Sequence, residues 1–171
     1  MSTLTFFFPF YFTLAALFLT AIETTLFPNL GIPSLYAPDM TLALITFLAS
    51  CSLGWRSIFA AVGVAFTAPL SNNSPSILQP MMTLFIFFIG NRLNQTVFMN
   101  NIFPQAFFTG SAKFLMAVSL PLLVSPSPPL GQTIQTAFIC ALTTALFAFP
   151  ILSYLNSLQE HFQSSTGSIT S

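Results

Sequence analysis

Long runs without a charged residue constrain the fold of this chain more than any other feature of its sequence. Only three Lys/Arg and three Asp/Glu occur among 171 residues. Charged residues thus make up 4% of the chain, whereas soluble domains carry about 25%. So few charges cannot cover a surface that faces water. We therefore expect lipid to surround most of the protein, and the net charge of zero leaves no basic face for nucleic acid.

Six segments approach the ~20 apolar residues that a membrane-spanning helix needs. Each span must satisfy its own backbone hydrogen bonds in lipid, which favours helices, and the runs lack the alternation of a β-barrel strand. The sequence thus predicts an all-α, polytopic integral membrane protein, a bundle of about six transmembrane helices. One transmembrane domain would cover 1–158, followed by a polar, flexible cytoplasmic tail over 159–171. The expected spans are 4–27, 39–54, 57–71, 76–91, 102–124 and 132–156.

The first run has no Lys or Arg before it and exceeds the ~7–15 apolar residues of a signal peptide. We therefore expect a retained span, with Pro9 bending its first turns. The second and third spans are short, and only "GWRS" separates them, which indicates a tight hairpin.

Two arginines predict the orientation in the membrane. Arg56 follows the second span and Arg92 the fourth, whereas the odd-numbered loops hold no Lys or Arg. By the positive-inside rule the even-numbered loops and both termini are cytoplasmic. We expect the lone His161, beside Glu160 in the tail, to be solvated.

Two ionisable residues fall inside predicted spans, where a charge is costly. Glu23 lies late in the first span, and we expect an interfacial carboxylate that reaches water. The alternative is a buried partner for a cation or a polar site. Lys113 lies in the middle of the fifth span, in "FFTGSAKFLMA", so we expect it to face the bundle interior or a protein partner.

Asp39 follows Pro38 at the start of the second span, in "APDMTLALITFLA". A carboxylate there can cap free amide groups and meets the positive end of the helix dipole. We expect this capping role. Proton-relay chemistry would need a second titratable group nearby, and the sequence places none beside it.

No catalytic motif accompanies these residues. The sequence has no phosphate-binding glycine loop, no metal-ligand cluster and no nucleophile beside a base, so we expect neither an enzyme nor a cofactor. Cys51 and Cys140 fit no disulfide or metal spacing and are expected as membrane-embedded thiols. Small residues four apart predict close helix packing, at Ala61 with Ala65 and at Ala106 with Gly110.

The order of these features resembles the rod shape-determining MreD family of small bacterial inner-membrane proteins with about six spans. The resemblance covers roughly 15–160. It rests on the proline and polar residue that open the second span, the basic turn "GWRS", the glycine-containing "IFAAVGVAFTAPL" and the polar turn in "SNNSPSILQPMMTLFIFFIGNRL". The chain departs from the family at "AFTAPLSNNSPS", where relatives carry glycines and an aspartate. It also has fewer basic residues than typical members.

The resemblance implies an inner-membrane scaffold without a reaction of its own. Its partners would be an MreC-like membrane protein and the cell-wall synthesis proteins of the elongation machinery. A second hypothesis is the substrate-binding membrane subunit of an energy-coupling-factor vitamin transporter. It predicts an outward-opening pocket lined by Glu23, Asn72, Asn73 and Gln79. A third class, a small channel or carrier, would need an internal repeat that the sequence does not show convincingly.

Overall fold

The computed structural model of the protein describes residues 8–31, 33, 36–51, 54–71, 77–96, 101–124 and 129–167. The chain is all-α, with six helices and no β-strand within these ranges. In chain order they are α1 (Phe8–Asn29), α2 (Met40–Ser50), α3 (Trp55–Ser71), α4 (Leu78–Thr96), α5 (Ile102–Val124) and α6 (Leu130–Gly167).

The shortest helix, α2, lies at the centre of the bundle. Every residue from Thr41 to Ala49 is buried, and α2 packs against all five other helices. A helix that is apolar all round is expected in such a central position, because no face of it needs to meet solvent. At 1.5 Å per residue its 11 residues extend about 16 Å, roughly half of a ~30 Å hydrocarbon layer.

Local sequence explains where α2 begins and ends. Asp39 is its N-cap, and the buried Pro38 before it cannot continue a helix backwards. Cys51 is the C-cap with extended backbone, and Gly54 has a φ of 61°, which favours glycine. The tight turn between α2 and α3 is therefore confirmed, although the helix stops at Ser50 rather than at residue 54.

The small-residue positions lie at close helix contacts. Ala61 and Ala65 are fully buried in α3. A Cβ atom built on Gly110 of α5 would lie 3.0 Å from both the Ala141 carbonyl oxygen and the Ala145 Cβ of α6. The missing side chain lets the two helix backbones approach, as the spacing predicted.

Within the described ranges, three helices are long and apolar enough to cross a membrane: Phe8–Asn29, Ile102–Leu123 and Leu130–Gln159. Large apolar side chains cover the outside of the bundle, and Phe103 and Phe107 are each 76% exposed. Such a surface suits lipid and not water. Helix α1 begins at Phe8, so Pro9 occupies its first turn, where a missing amide donor costs nothing.

Helix α6 is longer than the sixth predicted span. Its backbone is helical through Gly167, so 159–167, which were expected to form a flexible tail, continue the helix. The segment "LQEHFQ" contains good helix formers, and the next glycine is Gly167 itself. Residues 168–171 lie outside the described ranges.

Candidate functional site

The three ionisable residues expected within or at the start of predicted spans converge on one place, the buried N-terminus of α2. Lys113 Nζ donates to Asp39 Oδ2 at 2.9 Å, forming an ion pair between α5 and the cap of α2. Lys113 lies equally far from both ends of α5, about 16 Å from each at 1.5 Å per residue. The prediction that it faces the bundle interior is confirmed.

Asp39 joins three helices through its side chain and its backbone. Its Oδ1 accepts from the Leu42 amide at 3.2 Å and from the Thr41 hydroxyl at 2.6 Å, which confirms the predicted cap. The Asp39 amide in turn donates to Thr144 Oγ1 of α6 at 3.1 Å. The polar atoms of this residue thus hold the start of α2 in register with α5 and α6.

Glu23 lies on the buried face of α1, and only 8% of the residue is exposed. Its Oε1 accepts a hydrogen bond from the Met40 amide, a free donor in the first turn of α2. The expectation of an interfacial carboxylate reaching water is therefore wrong. The positive end of a neighbouring helix draws this carboxylate inward, which sequence alone does not show because the contact joins separate helices.

A second polar group on α1 lies one turn before Glu23. The Thr20 side chain is on the same buried face, since residues three apart lie on one side of a helix. Thr20 is 5% exposed, and its hydroxyl has no hydrogen-bond partner among the described residues. Buried hydroxyl groups nearly always have a partner, so the Thr20 hydroxyl is an exception within the described part of the chain.

A polar stripe runs along α5 from this site. Gln105, Thr109 and Lys113 occupy successive turns, and Gln105 and Thr109 are almost fully buried. Thr109 Oγ1 donates to Thr46 Oγ1 of α2 at 2.9 Å, and Asn156 Nδ2 of α6 donates to Gln105 Oε1 at 3.1 Å. Sequence reasoning missed these residues, although the spacing of polar side chains in "QAFFTGSAK" could have indicated them.

Both arginines lie near the other end of α2. Asn94 of α4 donates a hydrogen bond to the Ser50 carbonyl at 2.9 Å. The last turns of α4, which include Arg92, therefore lie beside the C-terminus of α2. Arg56 is the second residue of α3, shortly after Cys51, and its guanidinium carbon lies 5.5 Å from the Trp55 ring centroid. The arrangement agrees with the expectation that these two arginines share one side of the bundle.

The other predicted residues lie at separate places along the chain. Cys51 and Cys140 are buried and form no disulfide within the described part of the chain. Gln79 is buried in α4, and His161 lies in the helical end of α6. Asn72 and Asn73 lie outside the described residues. No group of three or more His, Cys, Asp or Glu side chains that could hold a metal occurs in the described part of the chain.

The site therefore combines two carboxylates, one ammonium and one helix N-terminus inside an apolar bundle. Such a set can exchange protons or fix helix register, because each charge depends on its neighbours for stabilisation.

Comparison with family models, with curated proteins and with solved structures finds no match to this chain.

Proposed function

We propose that the protein is a non-catalytic, multi-pass component of the bacterial inner (cytoplasmic) membrane that acts by binding other membrane proteins. Following the resemblance to the MreD family, the proposed partners are an MreC-like membrane protein and the proteins that synthesise the lateral cell wall. The observation that carries the proposal is the position of α2, whose residues Thr41 to Ala49 are all buried at the centre of the bundle. Because a helix fills the centre of the bundle, the outer faces of the other helices are the surfaces that can contact other membrane proteins.

The state of Glu23 favours this proposal over the vitamin-binding alternative. A pocket-lining carboxylate would have to be available to a ligand. The Glu23 carboxylate is instead hydrogen-bonded to the Met40 amide, and Asp39 is paired with Lys113. These polar groups bind one another across helices, which supports a role in holding the bundle together.

The proposal includes six membrane crossings, with both termini cytoplasmic. Helix α2 alone is too short to cross, so the proposed crossing includes residues 36–39 before it. Irregular backbone is tolerated at membrane depth only where protein covers it. Pro38 and Asp39 are buried, and the Asp39 amide is bonded to Thr144, which supports this path.

Co-isolation tests the proposed partner. The full-length tagged protein, purified from bacterial membranes in mild detergent, should retain an MreC-like membrane protein, and its depletion should abolish rod shape and lateral wall synthesis. A bound vitamin, or normal cell shape after depletion, would contradict the proposal.

Two matched variants locate the partner face. Phe107→Ala changes α5 and Phe66→Ala changes α3, and both phenylalanines are exposed. We expect one substitution to reduce partner recovery and the other to leave it unchanged, because the two helices face different sides of the bundle. Full recovery of the partner with both variants would argue against partner binding at either of these two helix faces.

A further inference from the structure

The charges at the N-terminus of α2 do not balance. Lys113 supplies one positive charge and pairs with Asp39. Glu23 then has the Met40 amide and the positive end of the α2 dipole, equivalent to about half a charge. The two arginines, which are the chain's other Lys/Arg residues, lie near the opposite end of α2. An ionised Glu23 would leave excess negative charge inside an apolar bundle, which is costly.

The unpartnered Thr20 hydroxyl is an independent observation on the same face of α1. Thr20 is about 95% buried, being 5% exposed, and lies one turn from Glu23. A hydroxyl can donate to a carboxylate and can equally accept from a protonated carboxyl group. No hydrogen bond joins it to Glu23, so this face of α1 holds a second buried polar group that is not satisfied within the described part of the protein.

We infer that Glu23, which accepts a hydrogen bond from the Met40 amide, is a reversible proton-binding site inside the bundle. Binding converts the Glu23 carboxylate to a carboxylic acid and changes no other bond, so the buried cluster no longer carries excess negative charge. Lys113 remains an ammonium paired with Asp39. This role does not depend on which membrane protein the chain binds.

Helices α1, α2, α5 and α6 contribute groups to the charge balance or hydrogen bonding of the site. Besides Glu23, Asp39 and Lys113, α6 contributes the Thr144 hydroxyl and holds the buried thiol of Cys140, and Tyr36 lies three residues before Asp39. The described parts of α3 and α4 contribute no Asp, Glu, Cys, His, Tyr or Lys, only their arginines at the far end.

Infrared difference spectroscopy on the full-length protein in lipid nanodiscs tests the proton site. At pH about 7, well above the ~4.3 of a free glutamate, we expect a carboxylic-acid carbonyl band that Glu23→Gln abolishes. Glu160→Gln, the same substitution near the far end of α6, should keep the band. Asp39→Asn should also abolish the carboxylic-acid band, because Lys113 can then pair with an ionised Glu23. This second variant keeps the test possible if Glu23→Gln does not fold.

Three results would overturn the inference. One is the absence of the band at every pH above about 5, since Glu23 would then titrate like a free glutamate. Another is a band that survives Glu23→Gln. The third is loss of the band when sodium replaces potassium at constant pH and ionic strength, because a metal cation would then be the ligand.

Discussion

Lys113 and Asp39 lie 74 positions apart in the sequence and form an ion pair 2.9 Å long in the middle of the bundle. A buried ion pair is weak evidence for stability, because the cost of removing both charges from water offsets much of their attraction. Its geometric effect is clearer. The ion pair fixes the N-terminus of the short helix α2 beside the midpoint of α5.

Breaking this pair from one side should destabilise the protein. Lys113→Met leaves a buried carboxylate without its cation, and we expect unfolding in detergent to require about 3 kcal/mol less free energy. The double variant with Asp39→Asn should recover much of the loss, since no unpaired charge remains.

Leu115→Met is the control for this experiment, because Leu115 lies on the exposed side of the same helix. A single Lys113→Met variant as stable as the wild type would show that the pair is not needed for the bundle. Unchanged partner recovery in Lys113→Leu would likewise remove any role of Lys113 in partner binding.

The close approach of α5 and α6 should be sensitive to one added methyl group. In Gly110→Ala the new Cβ would meet the Ala141 carbonyl and the Ala145 side chain, each 3.0 Å away. Overpacking of this kind costs about 1–3 kcal/mol, measurable as a lower midpoint of thermal unfolding.

Gly131→Ala is the matched control, because nothing lies within 4 Å of a Cβ built there. It should leave stability unchanged or raise it by up to about 1 kcal/mol, since alanine favours a helix over glycine. Equal midpoints for the two variants would contradict the close contact at Gly110.

The hydroxyl pair between Thr109 and Thr46 should show coupling. Valine at either position keeps the shape and removes one partner, which costs about 1 kcal/mol. The double variant should cost less than the sum of the two single ones, because the bond between the two hydroxyls is lost only once, while each hydroxyl also bonds to a carbonyl of its own helix. Strict additivity in the denaturation free energies would mean that the two side chains do not interact.

Reporter fusions test the membrane topology. A reporter fused after residue 171 should be active only if it is of the kind that works in the cytoplasm. A reporter fused after residue 73 should be active only if it works in the periplasm. The reason is that the loops containing Arg56 and Arg92 stay in the cytoplasm. A periplasmic signal at residue 171 would show the orientation inverted. Replacing both arginines by alanine should give mixed signals.

Several features of the fold follow from local sequence. The order of the six described helices, the cap at Asp39 and the turn at Gly54 depend on residues within a few positions of each other, and periodicity or backbone preference predicts them. The bounds were less predictable, since α2 ends earlier and α6 later than the sequence indicated. The inward position of Lys113 followed from its depth in an apolar run, where a long side chain cannot easily reach water.

The site itself depends on pairs that no local pattern encodes. Glu23 turns inward because the free amide of Met40 lies against α1, and Thr144 meets Asp39 across 105 positions of chain.

The sequence by itself determined that this protein is built from helices suited to lipid, because so few charges leave no alternative surface. Only the tertiary structure decided that α2 occupies the centre and that two acids and a lysine meet at its first turn. Such contacts depend on how separate helices pack, and the energy of a buried charge is set by neighbours that the chain brings together only on folding.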